Sequence, residues 1–242
     1  MRVLLTGGSG RIGAFVAPAL AAAGHAVIHL ARRPPLSPDW LPWDLAAPPP
    51  PLPPADALVH LAFDHEPGAY RGGEGDDPDR FLRLNRDGSI ALVAAARAAG
   101  IARIVFLSSR AVYGDARPGE TLRETDRPAP DTLYGAMKLD VERAVADIPG
   151  GVALRATGVY GLAPGATEHK WTALFADYLG GQTAAPRIAT ELHGADLADA
   201  VLLLLAGPAP ERVLNASDLT LDRHDLLAAV QARTGCRFQP PP

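Results

Sequence analysis

The sequence predicts an α/β protein built on a doubly wound parallel sheet, with a small, reduced C-terminal lobe. Short apolar runs recur along the chain, helical stretches separate them, and a glycine-rich turn follows the first run. Alternating strands and helices imply parallel strands, helices on both faces and right-handed crossovers. Ligands in such folds bind outside the carboxyl ends of the strands.

Residues 3–6 form a first apolar strand that ends in glycines, and residues 11–23 a helix closed by Gly24. A second strand covers 26–30 and a short third one 40–43. Residues 57–62 are apolar on both faces, as a buried parallel strand requires. A long helix over 79–99 ends at Gly100, and 103–108 is the fifth strand. Residues 132–147 form a helix with Asp131 as its cap, followed by a strand at 151–155. A helix at 196–205, a strand at 212–215 and a helix at 221–234 complete the reading. The expected division is a core over 1–160 and a lobe over 161–242, interleaved with the last core strand and helices.

The chain has 242 residues, 48% hydrophobic and 21% charged, enough to bury a core without staples. A net charge of −4 gives no electrostatic reason to expect nucleic acid or an anionic membrane as partner. Cys236 is the single cysteine, so no internal disulfide forms and a reducing, cytoplasmic setting is expected. No metal site is expected. The N-terminal apolar run is too short for a signal peptide, and 200–206 is too short to span a bilayer. Proline is abundant, with 24 residues, and crowds the stretch from Pro34 to Pro54. That stretch reads as a stiff connection replacing a crossover helix.

Thr6, Gly7, Gly8, Ser9, Gly10, Arg11, Ile12 and Gly13 follow the first strand and open a helix. Glycines there let the backbone approach a pyrophosphate, and the helix N-terminus offers N–H groups and a positive dipole end. This is the phosphate loop of a Rossmann-type dinucleotide site. The end of the second strand lacks the acidic residue that holds a ribose 2′-hydroxyl; it reads Leu30-Ala31-Arg32-Arg33. Arginines pair with a 2′-phosphate, so Arg32, Arg33 and Arg11 point to NADP, with NAD the alternative. Asp44 and Leu45 lie where such folds touch the adenine ring.

Tyr134 and Lys138 stand at i and i+4, on one helix face. An ammonium beside a phenol favours the phenolate, which lets Tyr134 exchange a proton near neutrality. Ser108 and Ser109 end the fifth strand at the mouth of the sheet, where a hydroxyl can hold a substrate oxygen.

With these motifs the chain resembles the extended short-chain dehydrogenase/reductase family, the NAD-dependent epimerase/dehydratase group. The glycine loop, His60-Leu61-Ala62, Asn85 with Gly88, the stretches 108–114, 134–138 and 155–161, and 193–200 occur in family order. The resemblance implies a catalytic Ser109, an acid/base Tyr134 and an activating Lys138, with Asn85 near the nicotinamide. It also implies that Leu61, Ala62, Ser108, Thr157, Gly158 and Val159 lie along the cofactor. His60 and His193 read as architecture. Asp64, His65, Glu66, Tyr70, Arg110, Tyr113, His169, Lys170 and Trp171 sit on loops where substrate contacts are expected.

The lobe is short for a sugar-nucleotide enzyme. The leading expectation is therefore an NADP-preferring oxidoreductase for a small carbonyl, alcohol or sugar-like substrate. A nucleotide-sugar epimerase or dehydratase is the alternative within the family, and a non-catalytic dinucleotide sensor the alternative outside catalysis. Alanine-rich faces over 79–99 and 132–147 allow a homodimer.

Overall fold

A computed structural model describes residues 1–35, 37, 39–65, 74–114, 119–207 and 211–242. Glu66 and Tyr70 lie outside the described residues. The main sheet holds β1 (Arg2–Thr6), β2 (Ala26–Ala31), β3 (Trp40–Pro42), β4 (Ala57–His60), β5 (Arg103–Ser109), β6 (Gly150–Ala156) and β9 (Val213–Ala216). Its order is β3-β2-β1-β4-β5-β6-β9, and every pairing is parallel. The direction of growth reverses between β1 and β4, which opens a crevice at their carboxyl ends.

The period of two sorts the strand residues onto two faces. Val3, Leu5, Val105, Leu107, Val152 and Leu154 enter one core, capped by α1 (Gly13–Ala22) and α6 (Gly194–Ala206). Leu4, Ile104, Phe106 and Ala153 enter the other, under α3 (Gly88–Ala98) and α4 (Leu133–Ala146). A buried strand must be apolar on both sides, and this is why these runs lack polar alternation.

A second sheet of three strands, β10-β8-β7, sits beside the carboxyl end of β6. It joins β7 (Gly158–Tyr160), β8 (Ile188–His193) and β10 (Leu219–Asp222), with α5 (Thr172–Leu179) and α7 (Arg223–Thr234) alongside. Sequence patterning does not predict these three strands or α5. Residues 221 and 222, expected in the last helix, belong to β10, and Asp222 caps α7 by accepting from His224 N.

The long helix expected over 79–99 is present but is not α-helical throughout. Helix α2 (Pro78–Leu82) passes through a π-helical turn at Arg83–Asp87 before α3 begins. A π turn carries one extra residue and often marks a functional site. Thr132, not Asp131, caps α4, its hydroxyl accepting from Gly135 N at 3.1 Å. The proline-rich stretch carries no helix between β3 and β4, and Trp43 Nε1 donates to Ala47 O across the turn that opens it. Among the described residues no helix is long and apolar enough to cross a membrane.

Candidate active site

The glycine loop lies at the carboxyl end of β1. Gly7 has φ +69°, and a Cβ there would stand 2.7 Å from Ala62 N and 2.8 Å from Leu61 C. Gly13, first residue of α1, backs onto Gly7 O just as closely. A side chain at Gly7 would push the loop off the backbone that follows β4, and one at Gly13 would push α1 off the loop itself. Gly8, Ser9 and Gly10 lead into α1, and Arg11 is exposed just ahead of Ile12. The N-terminus of α1 has no capping side chain and no acid in its first turn. Its N–H groups and dipole therefore suit a pyrophosphate.

A buried relay fixes this loop. Thr6 Oγ1 accepts from Leu61 N and Ala62 N, each at 3.1 Å. Its own proton then goes to His60 Nδ1 at 2.6 Å, which leaves the imidazole proton on Nε2, donated to Ser89 Oγ at 2.8 Å. Burial, with the charge of Lys138 added, pushes the His60 pKa down to about 3, so the ring stays neutral. His60 is architecture, as its place in the strand implies.

Beside β1, Arg32 and Arg33 are exposed at the end of β2. Arg32 Nη1 stands 3.9 Å from Asp64 Oδ1, and Arg80 Nη2 stands 3.0 Å from Asp64 Oδ2. Asp44 closes a turn by accepting from Ala46 N, next to Leu45, whose carbonyl backs onto Gly88. Asn85, presented by the π turn, clasps the backbone of Asp64: it accepts from Asp64 N at 2.7 Å and donates to Asp64 O at 2.8 Å. It also donates to Phe81 O. The Asn85 amide thus holds the loop after β4.

Tyr134 and Lys138 share one face of α4 against β5. Lys138 is 4% exposed and donates to Leu107 O at 2.8 Å. Its ammonium lies 4.7 Å from the Phe106 ring centre, 5.2 Å from Phe63 and 5.8 Å from Tyr134. Phe63 also meets Tyr134 edge-on at 5.2 Å. Burial lowers the Lys138 pKa to about 7, against the opposing pull of Glu142. Ser109 ends β5, and its oxygen accepts from Ala111 N at the start of a 3-10 turn.

Ser108 faces the other way. It donates to Glu142, which also forms a buried pair with Arg155, 2.7 Å between Nη2 and Oε2. Arg155 Nη1 donates to Tyr113 Oη at 2.7 Å, and Tyr113 Oη faces Asn215 Oδ1 at 2.9 Å. Ser108 and Tyr113 are thus buried members of one polar network with Glu142 and Arg155. Glu142 follows Lys138 by four residues, a spacing from which its shared helix face is readable; Phe63 carries no comparable signal.

Just after β6, Thr157 Oγ1 is buried with no hydrogen-bond partner, an orphaned hydroxyl of the kind a bound ligand satisfies. Lys170 pairs with Glu191 and covers Gly158, next to Val159. Tyr160 stacks on Trp171 at 5.2 Å, and His169 meets Phe175. His193 caps α6, accepting from Ala195 N. The glycine cradle and the unpartnered Thr157 hydroxyl fit a dinucleotide laid across the carboxyl ends of the strands. A depression of 610 Å³ lies at the opposite end, lined by Asp56, Arg103 and Gly150 among others. It is remote from every group just described.

Fold and site together define a Rossmann-fold protein of the dinucleotide-binding class. The pattern of the NAD dependent epimerase/dehydratase family matches residues 3–216, and the chain belongs to that family. It is 36% identical over 115 residues to a UDP-glucose 4-epimerase of Lacticaseibacillus casei, covering 45% of this chain and 33% of the relative. It is 36% identical over 147 residues to a 2'-dehydrokanamycin reductase of Streptomyces kanamyceticus, covering 60% and 38%. The match with the first of these spans about a third of that relative's length. Among solved structures, the UDP-glucose 4-epimerase of Thermus thermophilus in complex with NAD superposes with a TM-score of 0.79 at 25% identity, covering 100% of this chain and 87% of that one. MoeE5 in complex with UDP-glucose and NAD gives 0.80 at 25% identity, covering 100% and 85%.

Proposed function

We propose that the chain is an NAD(P)-dependent epimerase or dehydratase acting on a nucleotide sugar. The observation that carries the reading is the Tyr134–Lys138 face, buried against β5 at the mouth of the sheet beside the glycine cradle. The family match supports nucleotide-sugar chemistry over the small-carbonyl oxidoreductase that the short lobe suggests. The reductase reading keeps one support, the likeness to 2'-dehydrokanamycin reductase.

In this reading Thr6 to Gly13 hold the pyrophosphate, with Leu61, Ala62, Asp44 and Leu45 flanking the adenosine half. Arg32 and Arg33 support acceptance of NADP as well as NAD. Thr157, Gly158 and Val159 border the nicotinamide half. The bound dinucleotide supplies hydride transfer. Tyr134 gives or takes the proton of the reacting hydroxyl, and Ser109 holds the same oxygen. Lys138 supports the charge on Tyr134, and Phe63 shields both from water. The lobe built from β7, β8, β10, α5 and α7 carries the substrate.

The test is incubation with UDP-glucose and NAD, followed by NMR of the sugar and by cofactor absorbance. Epimer or dehydrated product with no net cofactor change supports the proposal, whereas stoichiometric use of NADPH on a carbonyl substrate moves the chain to the reductases. Tyr134→Phe should lower kcat by about 10²–10⁴-fold. An unchanged rate in that variant removes Tyr134 from the chemistry.

A further inference from the structure

We propose that Asp64 is a cofactor-specificity residue: a carboxylate carried to the end of β2 by the loop after β4, where it pairs with Arg32 and works against a 2′-phosphate. The inference rests on the reading of this crevice as a dinucleotide site.

The end of β2 has two arginines and no acid. In the fold, β2 and β4 flank β1, so the loop after β4 and the end of β2 face each other across the carboxyl end of β1. Asp64 uses this proximity. Its two oxygens meet Arg32 at 3.9 Å and Arg80 at 3.0 Å, so one negative charge lies among the cations nearest the expected 2′ position.

The placement is built into the fold. Asn85 is 2% exposed and holds the Asp64 backbone by both its N–H and its carbonyl. The π turn at Arg83–Asp87 presents Asn85 for this, and Phe63, one residue before Asp64, packs on Phe81 and Tyr134. The carboxylate is therefore anchored to the helix that follows and to the helix bearing Tyr134.

A phosphate monoester carries about two negative charges at neutral pH. Beside Asp64 it meets repulsion and finds Arg32 already shared. A 2′-hydroxyl meets neither cost and can donate to the carboxylate, the task an acid at the end of the second strand performs in NAD binders. Arg32 is 73% exposed and Asp64 27%, so water screens the pair and the effect is moderate and salt-dependent.

The experiment is titration of wild type, Asp64→Asn, Arg32→Gln and the double variant with NADH and with NADPH, following cofactor fluorescence at low ionic strength. Asparagine keeps the backbone clasp and removes the charge; Asp64→Ser, also neutral, should behave alike. The expected result is a shift of about two- to fivefold toward NADPH in the ratio of the two Kd values, chiefly from tighter NADPH binding. The shift should shrink in the Arg32→Gln background and in about 0.5 M salt. An unchanged ratio in Asp64→Asn, or equal weakening of both nucleotides, overturns the proposal, the latter making Asp64 a loop support alone. Failure of wild type to bind either nucleotide is a separate outcome: it removes the dinucleotide reading and the inference with it.

Discussion

Lys138 is an ammonium enclosed by aromatic rings, with one carbonyl, Leu107 O, taking a hydrogen bond from it. Burial lowers its pKa from 10.5 to about 7, although Glu142 resists. The unfolded chain keeps the lysine protonated to much higher pH than the folded one. Between about pH 7 and 10.5 the unfolded state therefore binds more protons, and the lysine's contribution to stability rises with pH. Below pH 7 both states are charged and the full cost of burial stands. Lys138→Met removes that cost along with the titration. The difference in Tm between variant and wild type should be more positive at pH 6 than at pH 9, read by thermal melts across that range. A difference independent of pH would show that the ammonium is not desolvated in the fold. The Tyr134 and Lys138 pairing was legible in the sequence because it is local, four residues on one helix. Its enclosure by Phe63 and Phe106 was not, since one ring arrives from the loop after β4 and the other from β5.

At the scale of elements, the Glu142–Arg155 pair binds α4 to β6, and through Ser108 and Tyr113 to both ends of the turn after β5. Both side chains are 4% exposed. Breaking a buried pair strands one charge, which costs about 3–5 kcal/mol, while replacing both partners by apolar groups of similar size costs far less. Glu142→Leu and Arg155→Met should each destabilise by about that amount in denaturant unfolding. The double variant should lose clearly less than the sum, and additive losses would mean the two charges do not depend on each other. Elements with a long apolar period were legible: the six strands expected in the first 155 residues and the helices bearing the glycine loop and Tyr134 stand where patterning puts them. The π turn was not, because one extra residue leaves the apolar spacing of residues 79–99 almost intact. Nor were β7, β8 and β10, which are three to six residues long and largely lack buried alternation. Their pairing joins residues distant in sequence, so local pattern holds little record of it.

At the scale of the whole molecule, the polarity of a parallel sheet decides where chemistry can occur. Strands that all run one way bring their carboxyl ends to one edge, and Thr6, Arg32, His60, Ser109 and Thr157 collect there although they are spread from position 6 to position 157 of the sequence. That gathering was legible as soon as the strands were known to be parallel; the Asn85 clasp on Asp64 was not, because it joins residues brought together only by the fold. The opposite edge has its own depression around Asp56, Arg103 and Gly150. Hydrogen exchange separates the two edges. A dinucleotide seated on the glycine cradle protects local backbone openings near it and leaves distant ones unchanged. Saturating NAD should slow amide exchange in peptides covering residues 6–14 and 60–64, and leave peptides covering 55–57 and 100–103 at their free rates. The strand β1 is a useful internal control, because its two ends report on the two edges of one element. Protection confined to the amino-terminal edge would relocate the site to the depression and detach the Tyr134–Lys138 face from the cofactor.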